Sequence, residues 1–317
     1  MIKLDGSSVC SKNGEAEVDL FRKPYYVLIT AARNEAANIE LTIKSVISQT
    51  HLPLRWVIVS DGSTDGTDQI VKDYCRGYDW IELIRRPERS ERHFAAKAEA
   101  FNLGYVYLKE LPYQFIGNLD ADVSFEKDFF AFLIKKFEEN PRLGIGGAPF
   151  QEGGSIYDYR FSSIEHVSGA CQLFRRECFE DIGGYVPLRG GGIDVVAVLT
   201  ARMRGWQTRT FTDKHYVHHK KEGTAKHSVP QARFMDGQKD YALGAHPAWM
   251  IFRSFYQMTR TPIIIGGTAL LAGYLSSMIK RTQRDIPKEL ICYRRRDQLL
   301  RLNAFFKSLC LFRRPLS

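Results

Sequence analysis

Cysteine is sparse and irregular: Cys10, Cys75, Cys171, Cys178, Cys292 and Cys310 include no Cys-x-x-Cys pair. Such spacing offers neither a zinc site nor a disulfide framework, and it suits a reducing compartment. The first twenty residues are polar and hold no long apolar run, so no ordinary secretory signal is expected and the catalytic part is expected to stay in the cytoplasm. Internal repeats and low-complexity tracts are lacking. Glycine is missing from Thr30 to Ala36, directly after the first apolar run. A dinucleotide dehydrogenase needs glycines there to admit a pyrophosphate to a helix N-terminus, so that class is excluded. Without a Gly-rich phosphate loop, a sugar-nucleotide pyrophosphorylase also lacks support. Acid is scarce at one end only. Met1 to Ala225 carries 29 Lys+Arg against 31 Asp+Glu, whereas Lys226 to Ser317 carries 16 against 5. A near-neutral body with a basic tail points to a polyanionic partner, either nucleic acid or an anionic membrane surface, unless the tail is merely a solvated face.

What is present is a β-α alternation. Tyr25–Thr30 and Arg55–Ser60 read as buried strands, and Ala37–Ser48 places Ile39, Ile43, Val46 and Ile47 at helical spacing behind the first. Two Asp-Gly turns, Asp61-Gly62 and Asp65-Gly66, lead into a helix carrying Ile70, Val71 and Tyr74. A later strand ending at Leu119 and a helix around Phe129, Leu133 and Phe137 continue the order. The expectation is an α/β fold with a doubly wound, mostly parallel sheet, helices on both faces, and ligands at the carboxyl ends of the strands. Asn118-Leu119-Asp120-Ala121-Asp122 organises the chain. If it ends a strand, alternation points both carboxylates to one side, where hard oxygen ligands suit Mg²⁺ or Mn²⁺. The competing reading is a polar turn before a helix starting near Glu126.

Four ordered stretches carry a family resemblance: Leu28-Ile29-Thr30-Ala31-Ala32-Arg33-Asn34-Glu35, Ser60-Asp61-Gly62-Ser63-Thr64-Asp65-Gly66-Thr67, Ala96-Lys97-Ala98-Glu99-Ala100-Phe101-Asn102 and Leu119-Asp120-Ala121-Asp122. They resemble the successive motifs of inverting family 2 glycosyltransferases with a GT-A fold. A weaker likeness continues through Gly169–Arg176 and Ile182–Tyr185 to Trp206. The resemblance implies a donor site in which Ala31, Arg33 and Glu35 surround the nucleoside and Asp61 accepts a base N–H such as that of uracil. Arg33 stands where the family often has an aromatic residue, and its guanidinium can also stack on a base. Asp61 is otherwise a turn residue before Gly62, and Lys97 a surface charge; by resemblance Lys97 faces the donor. Asp120 touches ribose or sugar hydroxyls, and Asp122 ligates a metal that bridges two phosphates. Gly190-Gly191-Gly192-Ile193-Asp194 opens a helix where the family places its catalytic base, usually as Glu-Asp. Only the Asp is kept here, which makes Asp194 the candidate base or, on the plainer reading, a helix N-cap. Of His215, His218 and His219, His218 is the first candidate to complete a metal site and His219 the second; a solvated loop is the alternative. Gln231-Ala232-Arg233-Phe234 is one residue short of the Gln-x-x-Arg-Trp of processive polysaccharide synthases and lacks the Trp, so it carries no weight.

The organisation expected is a polar tail over 1–23, a GT-A domain over 24–225 and a basic, apolar helical extension over 226–317 that associates with membrane. Thr261 to Ile279 is uncharged for nineteen residues and long enough in principle to span hydrocarbon. Both flanks are basic, so an interfacial or re-entrant segment fits better than a single crossing; an ordinary helical subdomain closing the active site is the alternative. The function expected is metal-dependent transfer from a nucleotide sugar, a UDP-sugar first among donors, to a hydroxyl of a membrane-associated glycan or lipid-linked acceptor at the cytoplasmic face of the membrane. No nucleic acid is expected as partner. The alternatives are sugar transfer to a polyprenyl phosphate, or a catalytically silent GT-A-like module whose basic tail binds membrane or nucleic acid.

Overall fold

The computed structural model describes residues 24–88, 95–152, 155–156, 163–220, 228–284 and 286–312. The expected polar tail over 1–23 lies outside them. Strand β1 (Tyr26–Ala32), helix α1 (Ile39–Ile47), β2 (Arg55–Asp61), α2 (Thr67–Cys75) and β3 (Ile81–Arg86) form two β-α-β units, and α3 (Ala95–Leu108) leads into β4 (Phe115–Leu119). There follow β5 (Val123–Phe125), α4 (Phe129–Glu139), β6 (Leu143–Gly147), β7 (Phe150–Glu152), β8 (Ser155–Ile156), β9 (Cys171–Arg175), α5 (Arg176–Asp181), α6 (Ile193–Met203), β10 (Gln207–Thr210) and β11 (Tyr216–His218). Four helices close the chain: α7 (Val229–Ala242), α8 (Pro247–Met258), α9 (Ile265–Ile279) and α10 (Lys288–Phe312).

The apolar runs of β1 and β2 are continuous because both faces of the sheet are covered. Val27, Ile29, Val57 and Val59 face a core completed by Ala98 and Phe101 of α3. Their alternating neighbours Tyr26, Leu28, Trp56 and Ile58 face a second core completed by Ile39, Ile43 and Val46 of α1. The seven strands run in the order β10-β6-β9-β4-β1-β2-β3. Neighbours are parallel except β9, which is antiparallel to both β4 and β6. Mostly parallel winding is therefore observed, with one reversed strand that its short, undistinguished sequence did not announce. A smaller sheet, β5-β11-β7-β8, sits beside the exit of β4.

The helical extension is not a detached appendage. Leu243, Ile286, Leu290 and Ile291 share one core with Ile193, Val196 and Leu199 of α6. Among α7, α8 and α9 a satellite core of Tyr241, Ala245, Met250, Leu270 and Tyr274 forms. A methyl group at Gly237 would overlap the Leu270 carbonyl, and one at Gly273 the Phe234 carbonyl, so glycine is what lets α7 and α9 approach backbone to backbone. The nineteen-residue apolar stretch is not one element. Its first four residues form a turn, and α9 spans only 15 residues, about 22 Å at 1.5 Å per residue, against a hydrocarbon layer of about 30 Å. No helix among the described residues is long and apolar enough to cross a membrane.

Candidate active site

Four strand exits meet at one edge of the large sheet. After β1 the chain turns through Asn34, at φ 55°, whose side-chain oxygen accepts from the Thr64 N–H at 2.9 Å, while the Ser63 hydroxyl accepts from the Asn34 N–H at 3.1 Å. The Asp65 carboxylate accepts from the Ala36 N–H at 3.0 Å and from the Thr67 N–H at 3.1 Å. Asp65 and Asn34 thus stitch the β1 and β2 exits together, leaving Asp61 for a different task. Asp61 is buried at the end of β2, 3.1 Å from the Arg86 guanidinium and 3.8 Å from that of Arg33. Ala31 lies in β1 and Glu35 just past its exit, and the Lys220 ammonium pairs with Glu35.

At the β4 exit, Asp120 and Asp122 lie in a turn rather than within the strand, which corrects the alternation argument; helix α4 likewise begins at Phe129, not near Glu126. The carboxylates still converge, because β11 pairs antiparallel with β5 and sets His218 opposite Val123. That pairing brings the His218 Nε2 to 3.4 Å from Asp122. Asp120, Asp122 and His218 each offer a ligand atom within 4.8 Å of the others. His219, one residue on, turns away to Ser124 at 2.9 Å, and His215 is exposed. Two carboxylate oxygens and an imidazole nitrogen form a donor set that fits Mg²⁺ or Mn²⁺.

The electrostatics agree with that fit. Burial raises the Asp120 carboxyl; Lys97 opposes this, the Asp122 charge reinforces it, and the outcome lies above the ordinary carboxylate range. Burial also raises Glu35, Lys220 opposes, and Asp122 and Asp120 add to the rise. For Asp122 burial is outweighed by the hydrogen bond and charge of His218 and by Lys220 and Lys97, so its carboxyl lies below that range. Crowded, largely buried carboxylates of this kind are what a divalent cation would neutralise.

Lys97, in the first turn of α3, pairs with Asp120 and donates to the Gly169 carbonyl at 3.1 Å. The Asn118 amide donates to the same carbonyl, and the Asp120 N–H donates to that of Ala170 at 2.8 Å. A methyl group on Gly169 would meet the Asp194 Cβ at 2.8 Å. Asp194, Gly169, Lys97 and Asp120 are therefore joined by direct contacts. The cap of α6 is Gly192, at φ 85°, and Asp194 stands two residues inside with no capping hydrogen bond, so the N-cap reading is set aside. Sequence reasoning missed Arg86, the Gly169 carbonyl and Lys220 as parts of this cluster. Arg86 closes an apolar run and could have been noticed as a cation at a strand exit. Nothing local marks Gly169 or Lys220.

A doubly wound, mostly parallel sheet with an Asp-x-Asp pair at the β4 exit is a GT-A-like arrangement, and solved glycosyltransferase structures superpose on the chain. A mannosyltransferase from Pyrobaculum calidifontis, PcManGT, in complex with GDP-Man and Mn²⁺, matches with a TM-score of 0.55 at 18% identity over 92% of this chain and 82% of its own. Staphylococcus aureus TarS 1–349 matches with a TM-score of 0.52 at 15% identity over 81% of this chain and 72% of its own. The family model described as Glycosyl transferase family 2 matches residues 27–183, just under half of the chain. Among curated relatives, poly-β-1,6-N-acetyl-D-glucosamine synthase of Staphylococcus epidermidis is 26% identical over 175 residues, covering 49% of this chain and 40% of its own. The Staphylococcus aureus synthase is 24% identical over 193 residues, covering 55% and 45%. The chain thus spans less than half the length of these relatives.

Proposed function

We propose that the chain is a metal-dependent inverting glycosyltransferase that moves a sugar from a nucleoside diphosphate donor to a hydroxyl of a glycan or lipid-linked acceptor at the cytoplasmic face of a membrane. The observation that carries this reading is the convergence of Asp120, Asp122 and His218 within 4.8 Å at the β4 exit, with Lys97 linking Asp120 to the Asp194 side of the cleft. Asp122 and His218 would hold Mg²⁺ or Mn²⁺, which when bound neutralises charge on the departing diphosphate. Arg33 and Arg86 orient Asp61 toward the base, and Ala31 leaves room for the nucleoside beside Glu35. Lys97 fixes the Asp120 carboxylate, which is then directed at ribose or sugar hydroxyls. Asp194 takes the acceptor hydroxyl's proton as that oxygen attacks the anomeric carbon from the face opposite the leaving group, which inverts the configuration.

A UDP-sugar is the first donor to screen, since a TarS structure holds UDP-GlcNAc, and GDP-mannose the second, since the mannosyltransferase structure holds it. The named polysaccharide synthases favour a glycan acceptor. The organisation that goes with this reading is a transferase domain over 24–225 and a membrane-associated helical extension over 226–317. Thermal shift with a panel of nucleotide sugars, with and without Mn²⁺, tests it. One donor class should raise the melting temperature only with the divalent ion, and Asp122→Ala should abolish that shift while the unliganded protein melts as before. Stabilisation by a nucleotide sugar that persists in excess chelator would overturn the metal's role.

A further inference from the structure

From Tyr241 to Arg284 the chain contains no acidic residue, yet Arg253, Arg260, Lys280, Arg281 and Arg284 punctuate it. The inward faces of its two helices are accounted for: Met250 and Ser254 of α8, and Gly266, Gly267, Leu270, Gly273, Tyr274 and Ser277 of α9, are buried. Much of what remains outside is apolar. Phe255, Ile263, Ile264 and Ile265 are 65%, 66%, 62% and 55% exposed around the α8–α9 turn. Leu275 and Ile279 extend the surface along α9 at helical spacing, and no charge interrupts that face.

The turn has a backbone cost as well. Ile264 adopts φ 64° and ψ −52°, and the Ile265 N–H donates to the Ile263 carbonyl at 2.7 Å. This is a γ-turn of the rare, strained kind, centred on a β-branched residue whose side chain gains no burial in return. Exposure and backbone conformation both disfavour isoleucine at this place within the fold itself.

We propose that the α8–α9 turn and the outer face of α9 dock on an anionic lipid surface, with Phe255 and Ile263–Ile265 entering the acyl boundary and Arg260, Lys280 and Arg281 at the level of the headgroups. The inference rests on the membrane side of the reading above and is independent of the chemistry at Asp194. Charge selects this occupant. A second copy would set cation against cation with no acid to answer it, and a nucleic acid has phosphates but no apolar phase to receive four large side chains.

The test is co-sedimentation of the full-length protein with vesicles of phosphatidylcholine alone and of phosphatidylcholine mixed with phosphatidylglycerol. Wild type should bind the mixed vesicles and release as salt rises. Ile264→Gly should weaken binding about tenfold. Because glycine relieves the turn, the strain removed offsets the added freedom of the unfolded chain, and the melting temperature should not fall. Arg260→Gln and Lys280→Gln should each cost about fivefold, on the mixed vesicles only. Binding as tight as wild type by both Ile264→Gly and Phe255→Ser would overturn the proposal. So would a wild type that ignores vesicles and forms a dimer that Ile264→Gly dissociates. Hydrolysis of the nucleotide sugar without vesicles should be unchanged in Ile264→Gly; failure of that reaction in wild type counts against the transferase reading, whereas failure of vesicle binding counts against the docking face.

Discussion

Asp194 separates two readings at the scale of one side chain. It lies against Gly169, and Gly192, not Asp194, caps α6. Asp194→Asn keeps the shape and removes the proton acceptor. Transfer should fall by about 10²- to 10⁴-fold, the usual contribution of a general base, with donor affinity near wild type. Stability should change little, since a carboxylate in the first turn is worth only about 0.3–1 kcal/mol through the helix dipole. Transfer rate, donor affinity and melting temperature on one preparation decide the matter; a near-normal rate moves the base elsewhere. Asp120, Asp122 and Asp194 could be named from sequence because their motifs are contiguous. Lys220 could not, because its partner Glu35 is 185 residues away and only β11 brings them together.

Among elements, the packing of α7 on α9 is the most exacting. Gly237 and Gly273 allow a carbonyl of the partner helix to occupy the space of a Cβ, and backbone cannot step aside as a side chain can. Gly273→Ala should therefore destabilise the protein by about 1–3 kcal/mol or more, the range for overpacking a filled interface, whereas alanine normally favours a helix. Urea melts of Gly273→Ala beside Ala272→Gly, on the exposed face of the same helix, read the difference. A Gly273→Ala variant as stable as wild type would mean the helices stand further apart. Gly-rich composition diluted the apolar signal of Thr261–Ile279, and the stretch breaks where Ile264 turns; periodicity alone registers neither event.

For the molecule as a whole, the extension that packs on the α/β body is itself held together by a buried charge among α7, α8 and α10. Asp240 lies 2.7 Å from the Arg294 guanidinium and pairs with Arg253 as well. Burial opposes its ionisation, but the two arginines prevail and hold its carboxyl below the usual range. A depressed folded-state pKa contributes stability above the unfolded value near 3.9 and loses it as pH falls toward the folded value. Asp240→Ala leaves Arg294 buried without its carboxylate and should cost about 3–5 kcal/mol at neutral pH. The gap between variant and wild type in urea melts should narrow below about pH 4. A gap that stays constant with pH would show that packing, not charge, sets the cost. Leu290 and Ile291 of α10 also explain why lipid docking is better tested with point variants than by removing the extension, which would strip them from the shared core.

The β-α order, the two-faced burial of β1 and β2, the Asp-x-Asp exit and the basic tail were all determined by local sequence, because hydrophobic period, turn chemistry and net charge act over a few residues. Tertiary structure alone decided the rest. The reversed β9 depends on which strands are free to pair. His218 meets Asp122 only because β11 pairs with β5, and Arg86 meets Asp61 only because β3 pairs with β2. Each of those contacts joins residues far apart in the chain, and strand register is set by the whole sheet rather than by either segment.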